Sequence, residues 1–331
     1  MKPSLLWLTL LHLLVDGVCG AVLAVYALQE PRMAPIIYHF TLYTVFAFGL
    51  QAPVGWVLDK YRNFLWQSLG ISVLLLVLGS LPQLEIFYQA VLLGLGNCLF
   101  HVAGGSYVLQ QYTTYTQLGL FVSSGAIGLG LGLNSLVGVL PLVISSVVVG
   151  IMAMLCVKSA APAMAEPDAE QLPAEHQSLE LWGCSLLLLG CVLLRGFSGG
   201  AVFDISSLML LPCLLALGKF AGGVVCDRLG FRKTVLLIFL LGFAALQLRG
   251  DWSLAIFIIS CNMTMPLTLR LVHWCRWEAP GLMFGLAAGC LVPGVVCKNL
   301  FQPSPQLVIV LQFLILVLAG YVLLERGGRH A

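Results

Sequence analysis

Charged side chains are scarce in this sequence. Asp, Glu, Lys and Arg make up 9% of its 331 residues, against about 25% in a typical soluble domain. So few charges cannot coat a water-soluble surface for a chain of this length. The 16 basic and 14 acidic residues leave a net charge of +2, without the clustered basic face that nucleic-acid binding requires. Several signatures of chemistry are also missing. There is no GxxxxGK[ST] loop to cradle nucleotide phosphates, no HExxH helix, no GxSxG nucleophile turn and no CxxC pair. Each absence removes a function class: P-loop ATPase, zinc-dependent hydrolase, serine hydrolase and dithiol redox protein. Disorder is excluded from the other direction, because 60% of the residues are hydrophobic.

The 11 cysteines are an odd number and lie almost entirely within apolar runs. Cys184 and Cys191, like Cys290 and Cys297, are seven residues apart and so share a helix face. Without nearby His or acidic partners they read as small buried hydrophobes. No cofactor and no metal site is expected.

What remains is hydrophobic length. Continuous apolar stretches of about 20 residues are the length of a bilayer-crossing helix. Charged and turn-forming clusters divide the chain into twelve, at about 4–28, 35–57, 64–82, 85–109, 117–136, 138–157, 181–201, 205–226, 234–249, 252–272, 279–298 and 304–324. None alternates as a membrane β-strand does. Lys and Arg fall eleven to three on the side that carries the N-terminus. Lys60, Arg62, Lys158, Arg228, Arg232, Lys233, Arg270 and Arg276 are among the eleven. Positive residues stay cytoplasmic, so both termini are expected inside, in the cytoplasmic membrane. Residues 158–180 are rich in Ala, Pro and acid and read as a flexible cytoplasmic linker. The expected organisation is one bundle in 1–157 and a second in 181–331.

The halves echo each other. Gly55-Trp-Val-Leu-Asp59-Lys60-Tyr61-Arg62 follows the second stretch, and Gly223-Val-Val-Cys-Asp227-Arg228-Leu229-Gly230-Phe231-Arg232-Lys233 follows the eighth. The fifth and eleventh match in style, GLFVSSGAIGLGLG from Gly119 and GLMFGLAAGCLVPG from Gly281. A repeated six-span unit marks a transporter built from two bundles related by an axis along the membrane normal. A carboxylate at a helix end can stabilise a neighbouring helix N-terminus, so Gly55, Asp59, Lys60, Arg62, Lys219, Gly223, Asp227, Arg228, Gly230, Arg232 and Lys233 form a candidate conformational latch. Gly281, Gly285 and Gly289, and Gly125, Gly128 and Gly132, are small-residue stripes that permit close helix approach.

Ionisable groups within a span are costly and default to function. His12 and Asp16 lie one turn apart on the first stretch, and Asn97 and His101 share that spacing on the fourth. A His beside a carboxylate suits a proton relay. Arg195 on the seventh stretch needs an anionic partner, with Asp16 the protein candidate and substrate the other. Lys219, two turns before Asp227, either snorkels to the interface or joins the latch. Asn262 on the tenth stretch is a further candidate polar contact.

The two loops resemble the loop motif of the major facilitator superfamily, the second copy nearly complete and the first degraded at Tyr61-Arg62-Asn63. Within it, His12-x-x-x-Asp16, Leu99-Phe100-His101 and the Pro280-Gly281 entry are similar to the fosmidomycin-resistance-like branch. The resemblance implies about twelve helices in two six-helix bundles with pseudo-twofold symmetry. Spans two, five, eight and eleven would lie between the bundles, and spans one, four and seven on a central cavity. It implies a secondary transporter of a small molecule, in efflux rather than uptake; coupling to protons or another ion is expected from the spacing of Asp16 with His12 and His101, and a monomer is expected. Rivals are a non-transporting receptor on the same fold and an intramembrane enzyme using His12, Asp16 and His101.

Overall fold

The computed structural model describes residues 3–160, 179–200, 209–248, 251–297 and 303–327, and these contain only helices and their connections. In the first half, α1 (Pro3–Gln29) leads to α2 (Met33–Thr44), a π-helical turn (Val45–Gly49) and α3 (Gln51–Lys60). Then come α4 (Leu65–Gly79), α5 (Ile86–Gln111), α6 (Tyr115–Leu133) and α7 (Val139–Ala160). The second half holds α8 (Leu179–Gly200), α9 (Leu210–Leu229), α10 (Phe231–Ala245), α11 (Asp251–Cys275), α12 (Pro280–Gly289), α13 (Leu291–Cys297) and α14 (Pro305–Gly327). Most of the linker expected at 158–180 lies outside the described residues.

Nine helical stretches among the described residues are long and apolar enough to cross a membrane, and Leu181–Phe197 and Pro280–Gly294 are shorter apolar helices. The outer surface agrees. Leu140, Ile144, Val148, Ile151 and Leu155 form an exposed stripe along α7, which has a favourable environment only in lipid. The chain is a multi-pass membrane protein.

Two of the expected spans are interrupted, for one shared reason. Pro53 has no N–H to offer the carbonyl of Gly49, and its ring crowds that carbonyl. The preceding turn widens to π geometry at Val45–Gly49. Pro293 stands in the same relation to Gly289, where α12 ends and α13 begins. The ninth span sits about three residues earlier than its hydrophobicity implied, at Phe231–Ala245. Gly230, at φ +81°, turns the chain tightly between α9 and α10.

Core packing follows the halves. The largest cluster is dominated by α1, α4, α5 and α6, around Leu8, Leu11, Val15, Phe100, Tyr107 and Phe121. A second is built from α8 to α12 and α14, around Leu188, Cys191, Leu267 and Leu316. The buried cysteines behave as the small apolar residues the sequence suggested. Across the halves α6 packs along α9 and α3 along α12. Glycines set these approaches. A Cβ on Gly55 would meet the Gly281 carbonyl, and one on Gly223 would meet the Tyr115 carbonyl. One glycine stripe differs from expectation. Gly128 and Gly132 face the α1 backbone at Leu13 and Gly17, inside the first half. The α6 face toward α9 is carried instead by Gly119 and Gly130.

Candidate functional site

Four of the polar residues expected within spans converge on one point between α1, α5 and α6. His12 Nδ1 lies 2.7 Å from the Phe121 carbonyl, and His101 Nδ1 lies 2.9 Å from the Asn97 carbonyl. A carbonyl can only accept, so both Nδ1 atoms carry hydrogen and donate. The two Nε2 atoms face each other at 2.9 Å. Asp16 completes the group, with Oδ2 3.4 Å from His12 Nε2 and Oδ1 3.8 Å from His101 Nε2. Asn97 Nδ2 donates to Asp16 Oδ1 at 2.7 Å, fixing the carboxylate as an acceptor. His12, Asn97 and His101 are buried, and the Asp16 side chain keeps 15% of its surface exposed. Phe100 and Phe121 flank the His12 ring. Gly125 lies against the cluster, because a Cβ there would occupy the space of Asp16 Oδ2 and His12 Nε2.

One ligand atom from each of His12, Asp16 and His101 falls within a 4.8 Å span, a donor set that suits a transition metal. Two nitrogens bound tetrahedrally at about 2.0–2.1 Å would stand about 3.3 Å apart. The Nε2 atoms stand closer than that, 2.9 Å apart.

Arg195, also buried, donates through Nη1 to Thr264 and Thr268 Oγ1 of α11, each at 3.3 Å. The pairing with Asp16 expected from sequence is not made. Threonines one turn apart on α11 supply nearer acceptors, and Asp16 is held by the histidines and Asn97. Asn262 is tied to its own helix, Nδ2 to the Ile258 carbonyl at 2.9 Å, and packs at Gly218 of α9, away from the cluster. Lys219 neither snorkels to the end of α9 nor joins Asp59 or Asp227. It lies on the stretch of α9 whose backbone packs against Gly119 of α6.

A second constellation closes one end of the molecule. Asp59 accepts from the Gly281 and Leu282 N–H groups at 2.8 and 2.7 Å. Asp227 accepts from the Tyr115 and Thr116 N–H groups at 3.0 and 2.7 Å. Each carboxylate thus caps the first turn of a helix in the opposite half, α12 and α6, where the unpaired N–H groups and the helix dipole favour negative charge. Arg62 donates to the Glu278 carbonyl at 2.7 Å. Gly55 and Gly223 provide the close approach behind each aspartate. Lys60 lies over the Tyr61 ring at 5.6 Å, at the surface. Arg228, Arg232 and Lys233 are exposed and make no hydrogen bond or ion pair among the described residues.

Sequence reasoning missed two members of this end. Arg270 is buried, and its guanidinium donates to the carbonyls of Leu109, at 3.1 Å, and Tyr112. It therefore caps the C-terminus of α5 from α11, a cation on the negative end of a helix. His273, one turn on, is buried as well. Arg270 sits in an apolar run near its basic end, so it reads as a topology charge, and nothing in the sequence singles out His273. The one available signal was Arg270 inside the run, five residues before the turn.

No protein-family model and no curated protein matches the sequence. Solved structures do. The E. coli fucose:proton symporter FucP, in a variant form, aligns with a TM-score of 0.60 at 14% identity, covering 98% of each chain. FucP, a major facilitator superfamily transporter in the outward conformation, gives 0.58 at 13% identity, over 98% of this chain and 99% of that one. A bacterial homologue of the iron transporter ferroportin, outward-facing, gives 0.57 at 12% identity over 98% and 99%. Likeness at this identity carries the fold, which is that of major facilitator transporters.

Proposed function

We propose that the protein is a secondary active transporter that moves a small organic solute by alternating access. The reading takes the chain as twelve spans in two six-helix bundles, 1–157 and 181–331, joined by a cytoplasmic linker. It takes both termini as cytoplasmic and the protein as a monomer in the cell membrane.

The observation that carries it is the matched pair of aspartate caps. Asp59 and Asp227 hold opposite halves together at one end through contacts that rigid rocking of the halves would break without unfolding either helix. Gly55 and Gly223, with Arg62, belong to this latch. Gly230 shapes its second loop, and the exposed Lys60, Arg228, Arg232 and Lys233 hold it at the cytoplasmic surface. Substrate binds near the midplane, between the His12–Asp16–Asn97–His101 cluster and the face bearing Arg195, Lys219 and Asn262. Proton coupling runs through the cluster, where titratable groups touch in the low dielectric of the span. Efflux is preferred over uptake on the resemblance of the His12/Asp16 and His101 motifs to the fosmidomycin-resistance-like branch.

The test is flux in proteoliposomes under an imposed proton gradient. Wild type should accumulate or extrude a test solute in step with the gradient, and Asp16→Asn should lose that dependence. Full gradient-driven flux in Asp16→Asn would end the assignment of coupling to this cluster.

A further inference from the structure

We infer that the cluster stores one proton between His12 Nε2 and His101 Nε2, with Asp16 remaining an ionised counter-charge rather than the proton carrier. This rests on the transporter reading only for its purpose; the site itself follows from hydrogen-bond accounting.

A neutral imidazole has one N–H. In both rings that hydrogen is committed at Nδ1, because each Nδ1 faces a backbone carbonyl at hydrogen-bond distance. Flipping either tautomer would set a nitrogen lone pair against a carbonyl lone pair inside the protein, leaving the carbonyl without its donor. Each Nε2 therefore presents a lone pair, and the two lone pairs point at one another across 2.9 Å. Two acceptors at that distance repel. One added proton turns the same contact into an N–H···N hydrogen bond, charge-assisted and shared. The cluster then holds one imidazolium, one imidazole and one carboxylate.

Asp16 cannot replace this proton by donating. Its oxygens lie 3.4 and 3.8 Å from the two Nε2 atoms, too far for an O–H···N bond. Its Oδ1 already accepts from Asn97. At those distances it acts as a near, fixed negative charge for the imidazolium. The surrounding elements add few rivals. From α1 comes Cys19, with Asn97 of α5 neutral. From α2 comes the buried Tyr43. The π-helical turn contributes only the Phe48 ring. The α6 wall offers the Phe121 carbonyl, Ser124 and Gly125, none ionisable. From the other half come Lys219 of α9, which packs along α6, and Arg195 of α8, whose guanidinium is held by Thr264 and Thr268. The proton enters from water and leaves to water; no other group changes.

The experiment is 15N NMR of histidine-labelled protein in nanodiscs, with proton and solute flux measured on the same preparations. For wild type near pH 7 we expect an Nε2–Nε2 correlation across a shared hydrogen and Nδ1–H signals on both rings. In His101→Gln the amide can donate to His12 Nε2 without an extra charge. That variant should keep the fold, lose the nitrogen–nitrogen correlation and carry no proton. His12→Gln is the reciprocal check should His101→Gln fold poorly. An Nε2–H signal on a ring lacking Nδ1–H would overturn the inference, as would proton-driven flux undiminished in His101→Gln. The two readings fail separately. A shared proton in a protein that moves no solute removes the transporter and leaves the proton site. Gradient-driven flux without the shared proton removes the site and leaves the transporter.

Discussion

Asp59 makes the more enclosed of the two aspartate caps, although it belongs to the less complete copy of the loop motif. Its oxygens accept from Gly281 and Leu282 at 2.8 and 2.7 Å in a part-buried setting, whereas Asp227 meets Tyr115 and Thr116 at 3.0 and 2.7 Å at an exposed position. The completeness of the motif lies in its basic residues. Arg228, Arg232 and Lys233 are solvated, so their presence adds little to the cap itself. Carboxylate and close glycine carry the contact, and both copies have them.

Removing a carboxylate from a helix N-terminus costs about 0.3–1 kcal/mol at an exposed site and up to about 2 where it is partly buried. Asp59→Asn should therefore shift the protein toward the state open at this end more than Asp227→Asn does. Labelling rates of a cysteine placed behind the caps would measure the shift. Equal rates in both variants would mean that the difference in burial has no energetic consequence.

Arg270→Ala removes the guanidinium donor to the carbonyls of Leu109 and Tyr112. A hydrogen bond to a charged group contributes about 1.5–3 kcal/mol, so a clear drop in melting temperature in detergent is expected. Arg270→Lys should recover part of it, since one ammonium cannot match a planar fork on two carbonyls.

Gly55→Ala would put a methyl onto the Gly281 backbone, which cannot rotate aside. Overpacking of this kind costs about 1–3 kcal/mol, and here separation of α3 from α12 relieves it. Gly183 is the control, because nothing lies within 4 Å of a Cβ there. Gly183→Ala should leave melting temperature and labelling unchanged or slightly improved.

Gly125→Ala tests the cluster without touching an ionisable group. Its methyl would crowd Asp16 and His12, displacing the ring from His101. Coupled flux should fall at least tenfold while labelling of the cysteine behind the aspartate caps stays at the wild-type rate. Retained coupling would show that the histidine contact tolerates displacement.

Lys219 lies on α9, which packs along α6 of the first half, and has no hydrogen-bonded partner among the described residues. Organic carboxylates should raise the melting temperature of wild type and not of Lys219→Gln. A ligand at 100 times its dissociation constant contributes about 2.7 kcal/mol, enough to read in a melting curve. Cationic solutes stabilising both proteins equally would argue for a different contact surface.

The helical, membrane-crossing character of the chain was settled by composition. With 9% charge and apolar runs of bilayer length, the backbone must satisfy its own hydrogen bonds, and helices do so locally. The spacing of His12 to Asp16 and of Asn97 to His101 also placed each pair on one helix face, because that periodicity is local. The pairing of Asp59 with α12 and Asp227 with α6 was not legible, since the partners are backbone N–H groups that every residue but proline has. Arg195 looked like a partner for Asp16 until the fold set Thr264 and Thr268 beside it. Arg270 looked like a topology charge until the end of α5 was seen beneath it. Local periodicity determines which residues share a helix face. Which faces meet is decided by packing across hundreds of residues, where close approach at Gly55, Gly125 and Gly223 sets the distances on which the charges act.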